Sequence, residues 1–117
     1  MSMEMIRKRD GAVVPFETEK IAAAIRKALT AVGEGDPSQA EALAGEVVAR
    51  LERRYAGDIP TVEEVQDLVE ETLIEKGLPR TAKSYILYRE RRAEIRRTKD
   101  FLGVKDELKL TVNAVNV

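Results

Sequence analysis

The residues best suited to chemistry in this sequence are cations. Arg7-Lys8-Arg9 stand together just before Asp10-Gly11, and Lys20 follows at the start of an amphipathic segment. A helix N-terminus already favours an anion through its free N–H groups and its dipole. Cations beside it can hold a polyphosphate, Arg through a bidentate fork and Lys as a point charge. A second cluster, Tyr88, Arg91, Arg92 and Ile95, has spacings that share one helix face. A ring beside two guanidiniums there could stack on a base and touch phosphates. Each cluster also has a plainer reading, which residue types alone favour. The first would be solvated charges that protect an edge strand, and the second a solvated face paired with Glu90 and Glu94. Thr61 is explained as a helix N-cap, with Thr61 or Gln66 beside a base as the lesser role. Phe16 reads as a staple onto the first helix, with stacking on adenine as the alternative.

Other chemistry is narrowed by what the chain lacks. It has no Cys and no His, which excludes disulfides, thiolate or imidazole metal sites, cysteine nucleophiles and histidine acid–base work. There is no nucleophile elbow, Walker-type glycine loop or evident carboxylate pair, so a binding domain is expected and no enzyme in this piece. Magnesium stays open, because carboxylates and hydroxyls suffice for it. A formal net charge of -1 argues against bulk attraction to nucleic acid or membrane. No apolar run approaches the roughly 20 residues that span a bilayer, and the first residues carry no signal core, so a cytoplasmic location is expected.

These residues need elements to position them. Met5–Arg9 and Ala12–Phe16 are β-capable runs around Asp10-Gly11, which predicts a hairpin with a type I′ turn. Pro15 places its strand at an edge. Thr18 is the expected cap of a first helix with Ile21, Ile25, Ala28, Leu29 and Val32 inward, stopped by Gly33 and Gly35. Asp36-Pro37, with Gln39, starts a second helix that buries Ala40, Leu43, Ala44, Val47, Leu51 and Tyr55. Residues 57–60 could lend a third strand. Thr61 and Glu64 form a capping box ahead of Val65, Leu68, Val69 and Leu73, and Gly77 and Pro79 end that helix. A last helix runs from about Thr81, with Ala82, Tyr85, Ile86 and Ala93 inward. The fold class is therefore α+β and mostly helical: a four-helix bundle capped by a β-hairpin or small three-stranded sheet.

Ile6-Arg7-Lys8-Arg9-Asp10-Gly11, Val14-Pro15-Phe16-Glu17 and Lys20-Ile21 together resemble the opening signature of ATP-cone domains. The resemblance continues through residues 59–70 and closes on residues 82–89, covering Met5 to about Arg97 in order. It implies a domain that binds ATP to permit activity, or dATP to stop it, in a ribonucleotide reductase. The ligand is expected with Mg2+, at a site between the hairpin, the first helix and the last helix. Carried over residue by residue, Lys8, Arg9 and Lys20 meet the phosphates, and Ile6, Phe16 and Ile21 wall the adenine and sugar. Thr61 and Gln66 lie near the base, and Tyr88 and Arg91 contribute from the last helix.

Residues 104–114 resemble the opening of the catalytic domain of an adenosylcobalamin-dependent reductase. The resemblance thus divides the chain into a cone, residues 1–99, and a linker with the start of a catalytic domain, residues 100–117. That tail is expected to be poorly ordered or docked opportunistically. The implied partners are an adenine nucleotide, the catalytic domain of the parent reductase and a second cone, with neither membrane nor nucleic acid. Cones also form half of a zinc-ribbon transcriptional repressor, whose ribbon requires cysteines that this chain lacks. A stand-alone nucleotide sensor and a helical nucleic-acid-binding module remain the alternatives.

Overall fold

The computed structural model describes residues 4–103. Its elements run β1 (Met5–Arg7), β2 (Val13–Pro15), α1 (Thr18–Val32), a 3-10 turn (Pro37–Gln39), α2 (Ala40–Arg54), α3 (Val62–Glu75) and α4 (Pro79–Leu102). The mostly helical α+β class holds. Contacts divide the chain into two compact units, one ending at Tyr85 and the other starting at Ile86. Of the linker and tail expected over residues 100–117, the first three residues continue α4 to Leu102, and residues 104–117 lie outside the described residues.

The strands are antiparallel, with Met5 opposite Pro15, Ile6 opposite Val14 and Arg7 opposite Val13. Lys8 N–H donates to Ala12 O at 2.8 Å and Gly11 N–H to Lys8 O at 2.9 Å. Among the described residues only glycines have positive φ, Gly11 at 90° included, so Arg9-Asp10 occupy a type I turn and Gly11 forms the bulge after it. The expected type I′ turn is thus corrected: it needs positive φ at both central residues, and here the glycine follows the turn. Asp10 Oδ1 accepts from Ala12 N–H at 2.9 Å and fixes the loop. Hydrogen-bonded pairs alternate along the ladder, so Pro15 sits where its missing N–H would point away from β1. The third strand is only a parallel bridge between Arg7 and Thr61, with Arg7 N–H donating to Pro60 O at 2.9 Å.

In the first unit α1 packs on α2 and α2 on α3. Their apolar spacing builds one core: Ile21, Ile25 and Leu29 from α1, Leu43, Val47 and Leu51 from α2, Leu68, Val69 and Leu73 from α3, joined by Leu78, Ala82 and Tyr85. Thr72 is fully buried and donates its hydroxyl to Leu68 O at 2.7 Å, so no polar atom is stranded there.

The helix ends show which residues set the boundaries. The N-cap of α1 is Glu17, without a side-chain cap bond, and Thr18 is the first helical residue rather than the cap. Gly33, left-handed at φ 62°, closes α1. Asp36 and Gln39 make the expected capping box around the 3-10 turn. Thr61 N–H donates to Glu64 Oε1 at 2.9 Å and Glu64 N–H to Thr61 Oγ1 at 3.1 Å, the reciprocal box read from the sequence. At the end of α3, Leu78 N–H reaches Leu73 O and Gly77 N–H reaches Ile74 O, a Schellman motif around left-handed Gly77. Pro79 does not end α3. It opens α4, where its missing N–H costs nothing, two residues before the expected Thr81.

Candidate functional site

The candidate site is built around the hairpin and the start of α3. Ile6 and Phe16 are half-buried and pack against the core cluster that contains Ile21. Ile6 of β1 and Phe16, which follows β2, thus cover part of the core to which buried Ile21 of α1 belongs. Phe16 N–H donates to Glu4 O at 2.8 Å, which fixes the chain as it leaves β2 for α1.

The cations differ in how they are held. Lys8 is exposed and makes no ion pair among the described residues. Arg9 sits in the turn, past the end of the β-capable run expected over Met5–Arg9, and its Nε pairs with Glu63 Oε2. Arg7 Nη1 donates to Gly11 O at 3.2 Å across the loop. Lys20 lies in the first turn of α1 with its Nζ 3.1 Å from Glu17.

Thr61 approaches the hairpin through backbone pairing. The Arg7–Thr61 bridge fastens β1 to the residue that caps α3, and the Arg9–Glu63 pair fastens the turn to the next residue but one. Thr61 Oγ1 is engaged by Glu64 N–H, so its structural role is filled. Gln66 is different. Its Oε1 is buried and accepts no hydrogen bond, the one such side-chain atom among the described residues. A buried acceptor left without a donor is costly, and a ligand N–H would satisfy it.

Tyr88 and Arg91 lie on α4 in the second unit. Tyr88 is 38% exposed, and Arg92 Nη1 donates to its hydroxyl at 3.3 Å with the guanidinium 5.8 Å from the ring centre. Arg91 is exposed. Of the apolar residues assigned inward on this helix, Ala82 and Tyr85 are buried, while Ile86 and Ala93 are half-buried.

Two contacts escaped sequence reasoning. One is Glu63, whose position inside a run of acids gave no sign of its partner. The other is Glu34, between Gly33 and Gly35. Its Oε1 accepts from Thr81 N–H at 2.8 Å and from the Thr81 hydroxyl at 2.9 Å, and its Oε2 from Arg80 N–H at 3.2 Å. Burial pushes the Glu34 carboxyl up, but these hydrogen bonds, with the Arg80 charge, outweigh it and hold it below its ordinary value.

No helix among the described residues is long and apolar enough to cross a membrane. Among them no group of three or more acidic side chains is placed to hold a metal.

The ATP cone domain family matches residues 4–94. The vitamin B12-dependent ribonucleoside-diphosphate reductase of Thermoplasma acidophilum is 53% identical over 94% of this chain and 15% of its own length. The vitamin B12-dependent enzyme of Mycobacterium tuberculosis H37Rv is 46% identical over 96% of the chain and 15% of its own length. The anaerobic ribonucleoside-triphosphate reductase of Haemophilus influenzae is 35% identical over 76% of the chain and 12% of its own length. The chain thus spans about 15% of the B12-dependent relatives it matches. With the ordered hairpin, helix and capping-box signatures and a family match over most of its length, the chain belongs to the ATP-cone domain family.

Proposed function

We propose that this chain is an allosteric regulatory domain that binds ATP or dATP and thereby controls the overall activity of a ribonucleotide reductase, a cytoplasmic enzyme. The observation that supports this reading is the joining of the hairpin to the start of α3, two elements that carry unlike groups. A cationic turn is fastened to the start of α3, Ile6 and Phe16 beside it pack against the core that contains Ile21, and Gln66 of α3 offers a buried acceptor without a donor. Polyphosphate, ring and exocyclic amine ask for that combination. In this reading Lys8, Arg9 and Lys20 meet the phosphates, with Mg2+ carried by the phosphates themselves. The three apolar side chains wall the adenine and sugar, and Gln66, beside Thr61, accepts from the base. Tyr88 and Arg91 are assigned from the ATP-cone resemblance alone.

The radical chemistry belongs to the parent enzyme, a diphosphate or triphosphate reductase. This piece has no cysteine, and the parent's catalytic domain is the proposed partner. Adenosylcobalamin would likewise belong to that larger chain. Two ligands differing by one hydroxyl can switch an enzyme only if each favours a different arrangement of domains or subunits, and pairing between cones is one such arrangement. A mass in light scattering that ignores dATP would count against it.

The test is calorimetric titration with ATP and dATP, each with magnesium, beside Lys8→Ala, Lys20→Ala and Arg91→Ala. Losing one charge-assisted hydrogen bond of about 1.5–3 kcal/mol weakens affinity roughly tenfold or more. Tight binding that Lys8→Ala and Lys20→Ala both weaken supports the reading. A folded wild-type chain that binds neither nucleotide overturns it, and an unaffected Arg91→Ala removes that residue from the site. Tight, steeply salt-dependent binding of duplex DNA instead would favour the nucleic-acid module.

A further inference from the structure

The three cations assigned to the phosphates stand in three different states. Lys8 is without an ion pair among the described residues, and Lys20 is paired with Glu17 on its own helix start. Of these three cations, only Arg9 is paired across two elements, tying the hairpin turn to the first turn of α3 through Glu63. If Arg9 is to meet a phosphate, as the proposed function has it, through the Nε edge of its guanidinium fork, that pair opens.

We propose that Glu63 is a latch: it holds Arg9 in the nucleotide-free domain, and the ligand's phosphates displace it, releasing the turn from α3. The exchange is easy for physical reasons. Both side chains keep about two-fifths of their exposure, 40% for Arg9 and 44% for Glu63, so solvent screens the pair and only modest attraction must be replaced. A triphosphate oxygen offers the guanidinium a charge-assisted bond at least as strong as a carboxylate does. The displaced Glu63 still lies in the first turn of α3, where the free N–H groups and the helix dipole favour its charge. The backbone anchor survives, since Arg7 N–H remains on Pro60 O. Binding therefore frees the turn and the α3 start of their side-chain tie while the strand stays fastened. The same competition lowers the affinity for any ligand that uses Arg9. Glu63 is thus a positioning residue that tunes the proposed site without belonging to it.

The inference rests on the phosphate reading of Arg9, and a mutant cycle separates the two. Magnesium-ATP is titrated calorimetrically, at low ionic strength, into the wild type, Glu63→Gln, Arg9→Ala and the double variant. The expected result is about three- to fivefold tighter binding by Glu63→Gln, the size of one exposed ion pair. Arg9→Ala should bind more weakly than wild type, and Glu63→Gln should change affinity less than about twofold when Arg9 is already absent. Weaker binding by Arg9→Ala without tightening by Glu63→Gln overturns the latch and leaves the phosphate reading standing. Equal tightening with and without Arg9 also overturns the latch, because Glu63 would then merely repel anions. Arg9→Ala binding as well as wild type, or no binding by the wild type, overturns the phosphate reading and the latch with it. The Arg9 Nε–H resonance is a readout in unaltered protein. It should move on saturation with ATP towards a position unlike that of the ligand-free state, and an unmoved resonance overturns the latch.

Discussion

The N-terminus of α3 is closed by residues of its own first turn, whereas that of α4 is closed by a carboxylate 47 residues earlier in the chain. At α3, Thr61 and Glu64 satisfy each other's backbone N–H groups, and nothing beyond the segment is needed. At α4, Pro79 opens the helix, and the next free N–H groups, on Arg80 and Thr81, both donate to Glu34 in the α1–α2 loop. A cap within the segment stabilises a helix wherever that helix sits. A cap from afar does more: it also fixes where the helix starts in the fold, because it forms only when α1 has ended at Gly33 and aimed Glu34 at Thr81. The loop is packed to that end. A Cβ on Gly35 would lie 2.6 Å from Gln39 Oε1 and 3.2 Å from Leu29 Cδ2, so any larger residue between Glu34 and the Asp36 cap must displace the Gln39 amide and press on Leu29.

The largest effect is expected from Glu34→Ala, which removes three hydrogen bonds at once and leaves the fully buried Thr81 hydroxyl and two N–H groups of α4 without their acceptor. Thermal unfolding followed by circular dichroism should show a greater fall in Tm than any other variant considered below. A fall no larger than that of a local cap would break the contrast between the two helix starts. Gly35→Ala comes next. It forces Gln39 off the Asp36 N–H and crowds core Leu29, at a cost of about 1 kcal/mol, the low end of what overpacking brings. Wild-type stability in chemical denaturation would mean that the loop has slack and need not aim Glu34.

Thr61→Ala should cost about 1 kcal/mol, the usual loss for an N-cap, or a Tm lower by roughly 4–8 °C in a domain of this size. Thr61→Ser keeps the hydroxyl and should melt with the wild type. That pair also sharpens the functional question. Thr61 is both a cap and a candidate nucleotide contact, and Ser preserves the first role while trimming a methyl from the second. Weaker ATP binding by Thr61→Ser at unchanged Tm would assign Thr61 to the site, and unchanged binding by both variants would leave it the cap alone.

Features whose cause lies within a few consecutive residues were legible in the sequence. The Thr61–Glu64 and Asp36–Gln39 boxes, the stops at Gly33 and Gly77 and the core faces of α1 to α3 follow from spacing, since the partners are one helical turn apart. Where two local solutions share one signature, the sequence was ambiguous. Asp10-Gly11 suits a type I′ turn, yet the chain places Arg9-Asp10 in a type I turn and uses Gly11 as the bulge, because Lys8 pairs with Ala12. Thr18 looked like a cap, but the N-cap is Glu17 and Thr18 is the first helical residue. Contacts made by folding were not legible at all. Nothing near Glu34 or Glu63 names Thr81 or Arg9, and the stranded Gln66 oxygen exists only once neighbours have buried it. Part of the candidate site was readable by residue type: the cations, Phe16 and Ile21. The carboxylates that govern those cations were not.

The smallest expected effect is on acid stability, and it tests the cap from afar by its charge alone. The Glu34 carboxyl is held below its ordinary value of 4.5 in the folded chain, so the unfolded chain takes up the proton first as pH falls. Its contribution is therefore complete above about pH 4.5 and is lost as pH drops through that value and on through the lower folded one. Glu34→Gln cannot titrate, and its neutral amide keeps one acceptor for three donors. The gap in stability between wild type and Glu34→Gln should then be constant from neutral pH to about 5 and narrow steadily below 4.5. Asp36 and Glu46 are also held low, the first by Ser38 N–H and the second by Arg50, but both remain in either protein and largely cancel in the difference. Denaturation curves at a series of pH values measure the gap. A gap that stays flat down to pH 3 would mean that the carboxylate charge contributes nothing to holding α4, and the cap from afar would reduce to the geometry of its hydrogen bonds.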